Sequence, residues 1–267
     1  MNPEFLRSLG IPLPSGAMIT SDEGDGDVQP LWLSDTPASA GLWAQIREAH
    51  GDSGLWPLLL VPLEHDQEFR PWASGELFPE RVSSPESHDP STVLAQWWKE
   101  HTDFDDDDNL SRADRLAVTA PFEQAWPGLA PARESALDPD ETAAEYAGVF
   151  VSEHPGARLG LVQAPRGADA LAAVGWGGPV NYDDTGKYAA VVRSWEERFG
   201  ARVVAVGFGT LHLSIAAPPA DHEDALAVAA EHFAFCPDNV WQRRHPPTLA
   251  AYADQLIGMN CWEFWWD

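Results

Sequence analysis

His232 and Cys236 stand four residues apart in Ala229-Ala230-Glu231-His232-Phe233-Ala234-Phe235-Cys236-Pro237-Asp238, a spacing that puts both on one helical face. An imidazole beside a thiol is the raw material of a nucleophilic pair. The local physics opposes that reading. A residue before proline avoids the α region, so Pro237 ends the helix at or before Cys236. The partial negative charge of a helix C-terminus disfavours a thiolate and favours a protonated His232, and Asp238 adds to it. Cys236 is therefore expected as a buried structural thiol. Asp238 is expected to cap a turn toward the amides of Asn239 and Val240. If chemistry occurs here, its working groups are His232, Asp238 and Asp267. Asn181 and Tyr182 would complete a hydrolase or transferase pocket.

Other constellations are weaker. His232, Cys236, His245 and Cys261 could be gathered by folding, but no pair has the short spacing of a zinc module. With only two cysteines there is no disulfide framework, and a single Cys236–Cys261 bridge stays open. Asp103, Asp105, Asp107 and Asp114 fall at positions 1, 3, 5 and 12 of a calcium loop, yet Asp108 stands where that loop needs glycine. A run of aspartates is more simply a solvated linker. Asp184-Thr185-Gly186 spells an aspartic-protease tripeptide but opens an amphipathic segment, so helix capping explains it. No phosphate-cradling glycine loop and no Gly-x-Ser-x-Gly elbow is present. No cofactor is expected.

The chain has 13 tryptophans, a residue favoured at binding surfaces as well as in cores. Trp195 lies on a helical apolar stripe and belongs to the core. Trp72, Trp176 and Trp241 sit beside Gly, Pro or polar residues in loop-like sequence, so they are the ones expected to line a ligand cleft.

Charge narrows the classes further. Forty-two acidic against 16 basic residues give a net charge of −26. Such a surface repels nucleic acid and anionic membrane and attracts cations or a basic protein partner. The first residues, Met1-Asn2-Pro3-Glu4-Phe5-Leu6, lack the basic and apolar regions of a signal peptide. No apolar run reaches the roughly 20 residues that span a bilayer. A cytoplasmic location is expected; nothing in the pattern sets an oligomeric state.

The elements that must hold these residues follow from periodicity. Helices are predicted over 38–50, after Pro90, over 141–151, 168–174, from Thr185 to Phe199, over 221–235 and over 248–257. Strands are predicted at 55–61, 158–163, 202–207, 211–216 and 262–266, with a hairpin across Phe208-Gly209-Thr210. Pro57 pushes the first of these toward a sheet edge. The acidic run 103–108 and the Pro-rich passage after it read as a linker. This divides the chain into an irregular α/β N-terminal region, 1–137, and a C-terminal α+β domain, 138–267, with a small mixed or antiparallel sheet and packed helices.

Five marks in order carry a family resemblance: Pro179-Val180-Asn181-Tyr182, Trp195-Glu196, the paired strands, Cys236-Pro237-Asp238 and the ending Trp265-Trp266-Asp267. Over about 158–267 the chain resembles the bacterial family called domain of unknown function 4253. Trp56-Pro57-Leu58-Leu59 and Arg70-Pro71-Trp72-Ala73-Ser74-Gly75 look like the N-terminal extension of its actinobacterial members. The resemblance implies an architecture and no reaction or ligand. The sequence thus favours a non-catalytic acidic interaction module, immunity- or adaptor-like, over the hydrolase or transferase pocket or a Trp-lined carbohydrate- or peptide-binding site.

Overall fold

Side chains on successive strand residues point to opposite faces, so a sheet covered on both sides needs strands that are apolar throughout. Leu55-Trp56-Pro57-Leu58-Leu59-Leu60 is such a strand, buried at all six positions. The computed structural model describes residues 6, 9–22, 27–64, 68–103, 111–135, 137–242 and 247–267. Its strands are β1 (Gly16–Ile19), β2 (Leu31–Pro37), β3 (Leu55–Leu60), β4 (Arg158–Gln163), β5 (Arg202–Val206), β6 (Thr210–Ser214) and β7 (Cys261–Trp265). They form one seven-stranded mixed sheet in the order β1-β2-β4-β3-β5-β6-β7. The β3–β5 pair is parallel and the others are antiparallel.

Helices cover both faces. On one lie α1 (Ala40–Glu48) and α5 (Pro139–Glu153), burying Trp43, Ile46, Ala143, Ala147 and Phe150 against Leu55, Leu59 and Leu161. The short α2 (His50–Ser53) leads from α1 into β3. On the other face lie α3 (Pro90–Thr102), α6 (Gly167–Val174), α7 (Thr185–Phe199), α8 (His222–Phe235) and α10 (Leu249–Leu256), which enclose the larger core. Two further helices are α4 (Arg112–Thr119) and α9 (Asp238–Trp241). Caps mark several starts: the side chains of Ser39, Asp89, Asp138, Asp184 and Asp221 each accept a backbone N–H of their helix's first turn. Asp184 is thus the cap expected from its sequence.

The class is α+β, and the sheet reaches further than periodicity indicates. β1 and β2 extend it on the N-terminal side, and β4 is inserted between β2 and β3. The division at 137/138 therefore does not separate two sheets: strands from both sides interleave. The stretch read as linker also contains α4 and returns to the core, where Ala130 is buried.

Pro57 is not at an edge, because β3 lies between β4 and β5. The proline is tolerated because β5 reaches β3 only at Leu59 and Leu60. Two indoles stand in for the ladder there. Trp43 Nε1 donates to the Pro57 carbonyl at 3.1 Å, and Trp56 Nε1 donates to the Val203 carbonyl at 3.0 Å. Since N–H and C=O of one strand residue point the same way, the absent N–H lies on this side and costs no strand bond.

Candidate functional site

The helix that ends at Cys236 is held as the proline requires, with the Cys236 amide donating to the His232 carbonyl at 2.8 Å. His232 and Cys236 then go separate ways. The Cys236 thiol is fully buried and donates to the Trp265 carbonyl at 3.0 Å. Asn239 Nδ2 donates to the Glu263 carbonyl at 2.7 Å. Two consecutive outward carbonyls of the edge strand β7 are thus sealed by side chains, one way of closing an open sheet edge. Cys236 and Cys261 are both free thiols, so the bridge left open by the sequence is not formed. Iodoacetamide applied to the folded protein is expected to label Cys261, which is half-buried, and to spare Cys236. Equal labelling of the two by peptide mass would contradict this arrangement.

His232 is enclosed by Trp195, Trp262 and Phe264, with its Nδ1 3.0 Å from the Tyr252 hydroxyl. Burial alone drives its pKa down to about 3, so it is neutral at physiological pH. It cannot meet solvent or a substrate, which removes it from the pocket expected around Asn181, Asp238 and Asp267. Part of that pocket does assemble. The Asp238 carboxylate accepts from the Tyr182 hydroxyl at 2.6 Å, from Gln242 Nε2 at 2.9 Å and, weakly, from the Asp267 amide at 3.5 Å. Burial, and next the bond to Asp238, push the Tyr182 phenol above its ordinary range. Asp238 is buried and its carboxylate is engaged by these groups rather than by the amides of Asn239 and Val240; Pro237 precedes α9, which has no side-chain cap. Asn181 is exposed nearby. This cluster fastens one surface loop and the chain's last residue to the helix end.

The loop tryptophans are also placed differently from expectation. Trp72 and Trp176 are fully buried, their indoles donating to the carbonyls of Val61 at 2.8 Å and Gly207 at 2.9 Å. Only Trp241 keeps partial exposure, against Phe233 and under Arg115. Of the calcium-loop acids, Asp103 follows the last turn of α3 and Asp114 lies in the first turn of α4, where Ser111 bonds it; Asp105 and Asp107 lie outside the described residues. His245 lies outside them as well. Among the described residues no three His, Cys, Asp or Glu side chains are grouped to hold a metal ion.

A second set of titratable groups lies on the opposite face of the same two strands. In β6, Leu211 and Leu213 enter the larger core, so Thr210 and His212 face α5; in β7, Trp262 and Phe264 enter that core, so Cys261, Glu263 and Trp265 face the same side as His212. His212 and Glu263 are direct cross-strand partners. The Glu263 carbonyl points outward to Asn239, which makes this a non-hydrogen-bonded pair, the kind whose side chains lie closest. From above, α5 contributes Tyr146, whose hydroxyl is 3.4 Å from His212 Nδ1, and Phe150, against which His212 stands edge-on. His154 stacks on the other side of the same region, 4.2 Å from Phe150 and 6.3 Å from His212 by ring centres. Burial raises the Tyr146 phenol and the Cys261 thiol above their usual ranges, and the nearby acids Glu263 and Glu153 add to both shifts.

Helix α5 packs on β5 and β6, while Glu263 on β7 stays exposed. The uncovered face opens into a cleft of about 760 Å³. Its mouth is built by the segments 61–64, 154–157 and 207–209 and by the end of β7. The cleft therefore sits beyond the carboxyl ends of the parallel strands β3 and β5, where open α/β sheets commonly take ligands. Glu64, Glu263 and Asp267 line it together with His154 and His212, and Phe208 and Trp265 supply aromatic surface. Among the described residues, no lysine or arginine is in the lining. Among the described residues, Asp267 is the one candidate from the sequence that reaches this cleft. The others were missed because His212 and Glu263 belong to no motif. Their signal is alternation, in Leu211-His212-Leu213 and Trp262-Glu263-Phe264, where one polar residue interrupts an apolar strand.

Residues 158–267 match the family described as Domain of unknown function (DUF4253). The matched stretch contains β4 to β7, and with them His212, Glu263 and Asp267. No curated protein matches the chain, and no solved structure does.

Proposed function

We propose that the protein is an acidic interaction module whose cleft receives a basic segment of a partner protein. One observation carries this reading. A large open cleft in a chain of net charge −26 is lined, among the described residues, by three carboxylates and no Lys or Arg. Opposite charge across an interface steers association and sets specificity, while aromatic surface beside it adds cation–π attraction for Lys or Arg side chains. A cytoplasmic setting, where such partners are made, is part of the proposal. No described helix is long and apolar enough to cross a membrane.

The reading is tested with a hexalysine peptide, followed by intrinsic fluorescence, since Trp265 and Trp266 border the cleft. Any protein this acidic attracts polycations diffusely, so the decisive comparison is between two charge-neutralised variants. Glu263→Gln is expected to weaken binding about tenfold, the loss of one charge-assisted contact. Glu145→Gln, on the exposed side of α5, is expected to change it less than twofold. Equal effects would show diffuse attraction and dispose of the cleft as the binding site.

A further inference from the structure

The strap 78–89, which leads into α3, packs over α7 and carries a second pairing of chemistry-bearing side chains. It makes one 3-10 turn, Pro85–Ser87, in which the Ser87 amide donates to the Ser84 carbonyl at 3.0 Å and the His88 amide to the Pro85 carbonyl at 3.3 Å. The turn brings His88 back onto Ser83, so that the Ser83 hydroxyl lies 2.5 Å from His88 Nε2. Both residues are partly exposed. With the imidazole proton on Nδ1, Nε2 accepts from the hydroxyl, the hydrogen bond that joins a serine nucleophile to its base.

The pair is held from three sides. Both oxygens of the Asp184 carboxylate accept from the Ser83 amide at 3.2 Å, and the same carboxylate caps α7 through the Gly186 amide at 2.9 Å. Gly186 makes room for this seat, because a side chain there would collide with the Ser83 carbonyl and hydroxyl. Asp184-Thr185-Gly186, a protease tripeptide only in spelling, thus fixes a serine. Arg193 of α7 reaches Glu86 at 3.5 Å and ties down the turn, while Asp89 caps α3 on the far side of His88. Groups fixed in this way need little ordering to react. The Ser84 amide, which follows the hydroxyl-bearing residue, makes no hydrogen bond among the described residues. An amide in that position is a ready donor to the oxyanion of acyl transfer.

We infer that Ser83 and His88 form a serine–histidine dyad that hydrolyses small carboxylic esters through an acyl-enzyme. The dyad shares no residue with the cleft lining, and the inference is independent of what the cleft binds. In the first half-reaction the Ser83 O–H proton passes to His88 Nε2 as Oγ bonds to the ester carbonyl carbon. The bond from that carbon to the alcohol oxygen then breaks, and the alcohol leaves with the proton from Nε2. In the second half-reaction water gives a proton to Nε2 while its oxygen bonds to the acyl carbon. The bond to Oγ breaks, the acid departs and Oγ recovers the proton. The exposed acids Glu86 and Asp89 on the same strap disfavour an anionic acyl group, so the substrate class is neutral or cationic esters.

The test treats the full chain with an alkyl fluorophosphonate, which an activated serine attacks at phosphorus with loss of fluoride, and locates the adduct by peptide mass. One label per chain is expected, on Ser83. Ser152, exposed on α5 with its hydroxyl bonded to the Val149 carbonyl at 2.7 Å, should stay unlabelled. His88→Gln is expected to slow labelling at least about 100-fold, the lower end of what a general base contributes. Ser83→Ala is expected to abolish the label and the burst of nitrophenol released from p-nitrophenyl acetate. Unchanged thermal midpoints of the two variants, both at partly exposed positions, separate lost chemistry from lost folding. A wild-type protein with no adduct on Ser83, or a His88→Gln protein labelled there as fast as wild type, overturns the dyad.

Discussion

A fragment running from Arg158 to Asp267 is expected to be unfolded, although this is the stretch that matches the family. The reason is topological. Its first strand, β4, has β2 and β3 as its only neighbours, and both lie outside the fragment. On the far side of the gap, β5 loses the strand that covers its other edge. The truncation also takes away the six buried side chains of β3 and both indoles that complete the ladder around Pro57. Two bare edges facing an empty slot one strand wide would leave buried amides unpaired and the cores on both faces open. Circular dichroism and proton spectra of the fragment should show no cooperative thermal transition. In the full chain the corresponding local test is Leu59→Ala, expected to cost about 2–5 kcal/mol by denaturant unfolding. A fragment that melted cooperatively would mean that the remaining strands can re-pair without β3.

The second large effect is expected at Arg198. Glu231 is wholly buried in α8 and keeps its charge compensated by donors from three directions. Arg198 grips both oxygens, at 2.8 and 2.6 Å, Trp195 Nε1 donates at 2.7 Å and the Ala130 amide at 2.6 Å. Arg198 also donates to the Ala130 carbonyl at 2.8 Å and to Ser194 Oγ at 2.9 Å. One ion pair therefore joins α7, α8 and the segment leading out of α4. Arg198→Ala leaves a carboxylate without its countercharge in the core, for which about 3–5 kcal/mol is the usual penalty. Arg198→Lys keeps the charge but loses the two-pronged geometry, so a smaller loss is expected. Urea midpoints of the two variants check the order. If Arg198→Ala cost under about 1 kcal/mol, the pair would be behaving like a solvated surface bridge.

Glu231 also illustrates what could be read in advance. It sits beside His232 and Cys236, and the pattern of types drew attention to the thiol and the imidazole. The structural acid among them shows itself only when Arg198 and Ala130, distant in sequence, arrive. The regular elements of the second half were legible because their periods are clean and their stops explicit: Gly200 ends α7 in a left-handed conformation, and Pro237 ends α8. The thiol's structural role was legible too, from the helix end alone. The sheet order was not, since β4 slots between two strands that precede it, a long-range pairing that no local pattern encodes. Trp72 and Trp176 misled because glycine and proline neighbours say loop, and these loops fold inward to cap strand ends with their indoles. The cleft was hidden for another reason. A histidine and a glutamate, each alone among apolar residues, become neighbours only through the pairing of two strands.

That pairing gives the β6–β7 ribbon a property of its own. Because strand side chains alternate with a period of two, a slip of one residue between these strands would turn Trp262 and Phe264 outward and drive Glu263 into the aromatic core. The turn that joins β5 to β6 is tight, and it meets the end of β7, where the Trp266 amide donates to the Gly209 carbonyl at 3.0 Å. A side chain at Gly207 would collide with Thr210 and one at Gly209 with the Trp266 carbonyl, which accounts for glycine at both positions. The cleft's charges and the core's aromatics are thus indexed by the same ruler. A change of register cannot retune the ligand face alone; it either leaves both faces intact or exchanges them.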